Sequence, residues 1–114
     1  MEKGSLLKLV FCIFLSSSAV GNALTIKEAE EKANQVCAAC HGKDGVNGVL
    51  PSYPIIAGQY SDYLNQALMD YKSGARKNAV MGGIAATLTK EEMAGLARYF
   101  SSLPTPLNDK NRKD

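Results

Sequence analysis

Cys37-Ala38-Ala39-Cys40-His41 is the stretch on which the reading of the whole chain turns. Two thiols three residues apart project from one face of a helical turn, so each can add to a vinyl group of the same porphyrin and become a thioether tether. The imidazole that follows directly is placed under the ring centre, where it can bind iron as the proximal axial ligand. A bare CxxC would suit zinc, a disulfide or a redox dithiol; the adjoining histidine is what separates covalent attachment of one haem c from these. Structural zinc takes four ligands, and beyond Cys37, Cys40 and His41 the chain offers no further histidine and no second cysteine pair. A thioredoxin-like dithiol sits at a helix N-terminus after a strand, where the dipole lowers the thiol pKa; this pair instead closes a helical pattern. A disulfide across so short a loop adds little by the chain-entropy account.

Working outward toward the N-terminus, Lys3 and Lys8 precede and enter an almost wholly apolar run, Leu6 to Leu15, and Ser16 to Ala23 is small and polar, with Gly21-Asn22-Ala23 as a cleavage site. That is the layout of a secretory signal peptide over residues 1–23, with export to the periplasm as its consequence. The apolar run is about half the length of a membrane-spanning helix, which makes an uncleaved anchor the weaker reading. Cys12 lies within the run, lacks the small residues of a lipoprotein cleavage site before it, and is read as leaving with the signal. Residues 24–114 then form one domain, with an ordered core over about 25–103. Removing residues 1–23 takes away two lysines and one glutamate from a chain of formal net charge +2, so the remainder is close to neutral. Nothing in that balance points to nucleic acid or to a membrane surface, and membrane contact is expected only through partners. The basic tail of Lys110, Arg112 and Lys113 is interrupted by Asp109 and followed by Asp114, which reads as a solvated end. A domain of this size buries only about 60% of its unfolded surface and is marginal alone; a buried haem would supply the missing apolar surface.

The pattern is helical wherever it is regular, which makes the fold class all-α. Thr25 to Ala39 reads as the first helix, with Thr25 as N-cap, Glu28 completing a capping box, and Ile26, Ala29, Ala33 and Val36 as its apolar stripe. Gly42 to Gly58 has four glycines, two prolines and no sustained period, so it reads as an irregular loop around the proximal side of the haem. Within it Pro54 stands out: a ligating histidine passes its second N–H to an acceptor that fixes the ring, and the Pro54 carbonyl is one such acceptor, with a simple turn proline as the equal alternative. Ser61 is expected to cap a second helix, Asp62 to Ser73, with Tyr63, Leu64, Ala67, Leu68 and Tyr71 on its buried side and Gly74 as its stop. Arg76 and Lys77 are either solvated or close to the haem propionates.

Val80-Met81-Gly82-Gly83 is the second candidate element. A thioether sulfur is a soft ligand for haem iron, and methionine opposite histidine raises the reduction potential. Met69 and Met93 fall in amphipathic helices, whereas Met81 is expected in a glycine-rich loop that can bring its sulfur to iron. The last helix starts at Thr89, with Glu92 completing Thr-x-x-Glu, and runs to about Ser102 before Pro104. Met93, Leu96, Ala97, Phe100 and Leu103 share its buried face, and it should cross the first helix.

Taken together, Cys37-x-x-Cys40-His41, Pro54-Ile55-Ile56-Ala57-Gly58-Gln59, Tyr71-Lys72-Ser73-Gly74, Met81 and Leu96-Ala97-Arg98-Tyr99-Phe100 resemble the short bacterial class I cytochromes c. More narrowly, the chain is similar to soluble monohaem carriers and to the haem domains of dihaem cytochromes and of the cytochrome subunit of sulfide dehydrogenase, over about Thr25 to Leu103. The resemblance implies a cytochrome c fold of four or five short helices around one haem, with crossed terminal helices. It also implies covalent haem on Cys37 and Cys40, His41 and Met81 as axial ligands, and Pro54 as carbonyl partner of His41. Some relatives carry a second methionine three positions beyond the ligand; Ile84 stands there, which removes an ambiguity.

The expectation that follows is a one-electron carrier in the periplasm, not an enzyme. It has no small-molecule substrate at iron, and docks transiently on an oxidase, a cytochrome complex or a periplasmic dehydrogenase. The alternative is an electron-relay subunit held tightly in an oxidoreductase such as a flavin-containing sulfide dehydrogenase. A haem sensor or peroxidase, with Met81 off the iron, is a third reading that a visible spectrum with carbon monoxide would separate.

Overall fold

The computed structural model describes residues 21–107. Most of the expected signal peptide, Cys12 and the basic tail lie outside the described residues. Among those described, the chain forms five helices and no strand: α1 (Ile26–Val36), α2 (Ala38–His41), α3 (Ser61–Ser73), α4 (Ala79–Ala86) and α5 (Lys90–Ser101). None is long and apolar enough to cross a membrane.

The two terminal helices begin as their sequences dictate. Thr25 accepts from the Glu28 N–H while the Glu28 carboxylate accepts from the Thr25 N–H, and Thr89 and Glu92 repeat the arrangement at the head of α5. Four otherwise orphaned donors are satisfied in this way. α1 packs on α5, with Ala29 and Ala33 buried on one side and Leu96, Met93 and Phe100 on the other. The close approach depends on small residues: a Cβ at Gly95 would stand 2.9 Å from Leu24 Cβ and 3.5 Å from Ala29 Cβ. Lys32 and Glu92 close the same interface with a 2.9 Å ion pair. Ile26, expected in the stripe, is instead 49% exposed, because the buried row starts a turn later at Ala29.

Four further local expectations are corrected. The first helix does not run on to Ala39. It ends at Val36, where Cys37 takes φ −112°, and the Cys37 carbonyl then accepts from both Cys40 and His41, so one residue closes α1 and opens α2. Ser61 is the first residue of α3 rather than its cap. Tyr63 is 51% exposed, since Leu64 and Leu68 are the residues of α3 that pack against the core, and the Tyr63 hydroxyl lies 3.4 Å from the Arg76 guanidinium. Met81 is not in a loop. Asn78 accepts from the Met81 N–H at 2.9 Å and caps an eight-residue helix despite Gly82 and Gly83.

Candidate functional site

α2 is a single turn, and it holds the three residues of interest in a fixed order: Cys37 at its N-cap, Cys40 inside it and His41 at its end. Gly42, with φ +80°, stops it in a conformation that L side chains rarely adopt. From there the chain turns back on itself. Asp44 Oδ1 accepts from the N–H groups of Val46 and Asn47, and the Gly45 carbonyl accepts from both Ile56 and Ala57. Gly45 is buried with φ +68°, and a Cβ there would press to 3.0 Å from the Phe100 ring and 3.1 Å from the Ala57 nitrogen. Val49 N–H donates to the Cys40 carbonyl, and Gly58 N–H donates to Phe100. The irregular segment is thereby stitched to the cysteine turn at one end and to α5 at the other.

This stitching delivers the Pro54 carbonyl to His41, whose Nδ1 lies 3.1 Å from it. A carbonyl can only accept, so Nδ1 carries a proton, and in the neutral ring Nε2 is the nitrogen with the free lone pair. His41 is 8% exposed, and the Tyr53 ring sits 6.1 Å away, tilted by 49°. Of the two readings of Pro54, the carbonyl acceptor is the one the geometry realises. Cys37 and Cys40 are both unpaired and partly buried. Burial, reinforced by the neighbouring Cys40, pushes the Cys37 thiol up to about 11, the opposite of the lowered value that makes a dithiol redox-active. No group of three or more His, Cys, Asp or Glu side chains able to hold a metal ion occurs among the described residues.

The methionines sort by environment. Met93 is 2% exposed in the core; Met69 lies on the outer side of α3, 3.7 Å from Asn65 Nδ2; Met81 is half-buried on α4, which packs on α3. Arg76 is engaged locally, 4.9 Å above the Tyr71 ring and in reach of Tyr63.

The Cytochrome c family profile matches residues 26–104. The chain belongs to the cytochrome c family. Cytochrome c4 of Thiocapsa roseopersicina is 44% identical over 75 residues, 66% of this chain and 38% of that protein. The cytochrome subunit of sulfide dehydrogenase of Chlorobaculum tepidum is 44% identical over 68 residues, 59% of each chain. The structure of Acidithiobacillus ferrooxidans cytochrome c4 superposes with a TM-score of 0.65 at 33% identity, covering 72% of this chain and 52% of that one. The chain spans between about a third and a half of the length of the first curated relatives it matches.

A covalently bound haem c is the cofactor of this family, and Cys37, Cys40 and His41 are its attachment motif here. The local geometry fits that group: two unpaired thiols on one turn beside a buried imidazole whose Nδ1 faces the Pro54 carbonyl, which leaves Nε2 as the nitrogen for a ligand role.

Two contacts around α4 escaped the sequence reading. Asn78 could have been found, because an Asn immediately before an apolar run is an N-cap signature; the paired glycines after Met81 outweighed it. Lys72 lies in the Tyr71-Lys72-Ser73-Gly74 stretch of the resemblance, but nothing in that stretch marks the bond its ammonium donates to the Leu88 carbonyl.

Proposed function

We propose that this chain is a periplasmic one-electron carrier with one haem c held by Cys37 and Cys40, its iron bound by His41 Nε2 and Met81 sulfur. The observation that carries the reading is the His41–Pro54 contact: at 3.1 Å it fixes the tautomer and orientation that a proximal ligand needs. Bound haem iron supplies reversible Fe(III)/Fe(II) chemistry. The protein's part is to hold ligands still. Pro54 orients the imidazole and the Asn78 cap fixes the backbone at Met81, so His41 and Met81 would hold the iron and leave no place on it for a substrate. Two side-chain ligands would keep the geometric change between the oxidation states small, and electrons would pass to partner proteins that dock transiently.

Residues 1–23 are proposed to direct export and to be cleaved, leaving residues 24–114 as the mature domain. The partners are redox proteins: an oxidase, a cytochrome complex or a periplasmic dehydrogenase. The likeness to a sulfide dehydrogenase cytochrome subunit favours a second reading, a relay subunit with an identical site in a stable complex with a larger dehydrogenase chain.

The deciding experiment is a redox-resolved visible spectrum of protein matured in a periplasm. A weak red-edge band in the ferric state and no carbon monoxide binding in the ferrous state are expected. Carbon monoxide binding to the wild type would overturn the His/Met assignment. A stable 1:1 complex on purification would move the assignment from free carrier to subunit.

A further inference from the structure

α4 is poorly equipped to hold itself in place. Its sequence, Ala79-Val80-Met81-Gly82-Gly83-Ile84-Ala85-Ala86, has two interior glycines, each costing about 1 kcal/mol against alanine, and eight residues are too few for an autonomous helix. Ala85 is its one buried residue, and Val80 is 58% exposed. It leans on α3. The position of Met81 therefore depends on ties outside the helix, and two are visible. One is the Asn78 cap on the Met81 N–H. The other comes from the far end: the ammonium of Lys72, in the last turn of α3, donates to the carbonyl of Leu88.

Leu88 is well placed to transmit that grip. Its N–H donates to Ala85 and that of Thr87 to Ile84, so residues 87–88 continue the C-terminal end of α4 without a break. Its side chain is 1% exposed in the core cluster, and the next residue, Thr89, caps α5. Lys72 thus joins α3 to the residue that links α4, the core and α5, sixteen residues along the chain from itself.

We propose that Lys72 is a positioning residue for Met81: by holding the Leu88 carbonyl it fixes α4 against α3 and keeps the Met81 sulfur from leaving the iron. The inference rests on ligation by Met81. A carbonyl cannot be removed by mutation, so the donor is the group to change. Lys72→Met keeps the length and apolar stem and loses the donor; Lys72→Arg keeps a donor of the same charge.

The test is imidazole binding to the ferric holoprotein, which measures how readily the methionine ligand is displaced, at low and at high salt. Lys72→Met is expected to bind imidazole about tenfold more tightly than wild type, the scale of one charged hydrogen bond. Lys72→Arg should stay within about twofold. The effect should survive high salt, because a direct hydrogen bond is not screened as a distant charge is. Wild-type imidazole affinity in Lys72→Met, or a difference abolished by salt, would overturn the role of Lys72 while leaving the red-edge band of the wild type intact. Absence of that band from the wild type would remove Met81 from the iron and the proposal with it.

Discussion

His41 Nδ1 and the Pro54 carbonyl oxygen stand 3.1 Å apart across thirteen residues of chain. The contact uses backbone on one side, so it survives any side-chain change at position 54 that leaves the loop in place. Pro54→Ala is expected to retain covalently attached haem and to cost about 0.4–1 kcal/mol, the effect of releasing a fixed φ in the unfolded chain. Guanidinium titration of the holoprotein reads this. His41→Ala removes the imidazole itself and should yield no stable holoprotein; a normal yield of native-like haem protein would end the proximal assignment.

Met81→Ala separates attachment from ligation. Haem should remain on Cys37 and Cys40, the red-edge ferric band should vanish, and carbon monoxide should bind the ferrous state. The reduction potential should fall on the order of 0.1 V, within the roughly 0.8 V that axial ligands span. Voltammetry of the variant checks it, and an unchanged potential would show that the sulfur is not on the iron.

Legibility followed the range of the interactions. Both capping boxes are written within four residues, Thr25 to Glu28 and Thr89 to Glu92, and both formed. The buried face of α5 followed its period, with Met93, Leu96, Ala97 and Phe100 all below 5% exposure. α4 was misjudged because local propensity pointed the other way: Gly82 and Gly83 disfavour a helix, and it is packing on α3 together with the Asn78 cap that makes one. In the site, CxxCH announced itself through side chains. Pro54 stayed ambiguous because its contribution is a carbonyl, which every residue has. The contact of Lys72 was not legible because its partner is also backbone, on another element.

Gly58 is a sharper test of the packing between the loop and the C-terminal segment. It adopts φ +70°, and a Cβ there would fall 2.1 Å from Thr105 Cγ2 and 2.5 Å from Thr105 Cβ. Gly58→Ala therefore meets both a backbone penalty and a clash, and a loss of roughly 2–4 kcal/mol is expected in chemical denaturation. Adding Thr105→Gly removes the atoms in the way and should recover the steric part, leaving about 1–2 kcal/mol of backbone cost. Full recovery in the double variant would mean that the left-handed conformation is not required.

Glu92 links stability to pH. Its carboxyl lies below the ordinary glutamate value of 4.5, first because it accepts from the Thr89 N–H and then because of Lys32, 2.9 Å away. Glu28 and Asp44, each accepting backbone N–H groups, are shifted the same way. A carboxyl whose folded pKa is depressed contributes stability that is fully present above its unfolded value and is lost as pH falls through the folded one. Stability should therefore decline below about pH 4.5. Glu92→Gln isolates one contributor, since glutamine still offers an oxygen to Thr89 but no charge to Lys32. With the Glu92 side chain 22% exposed, the variant should lose no more than about 1 kcal/mol at neutral pH. The gap should close on acidification, because a protonated glutamate and a glutamine are then nearly equivalent. Urea titrations of both holoproteins in a pH series descending from about pH 7 to the acid limit of the folded state give the comparison. A gap that persists in acid would assign the loss at position 92 to packing and not to charge.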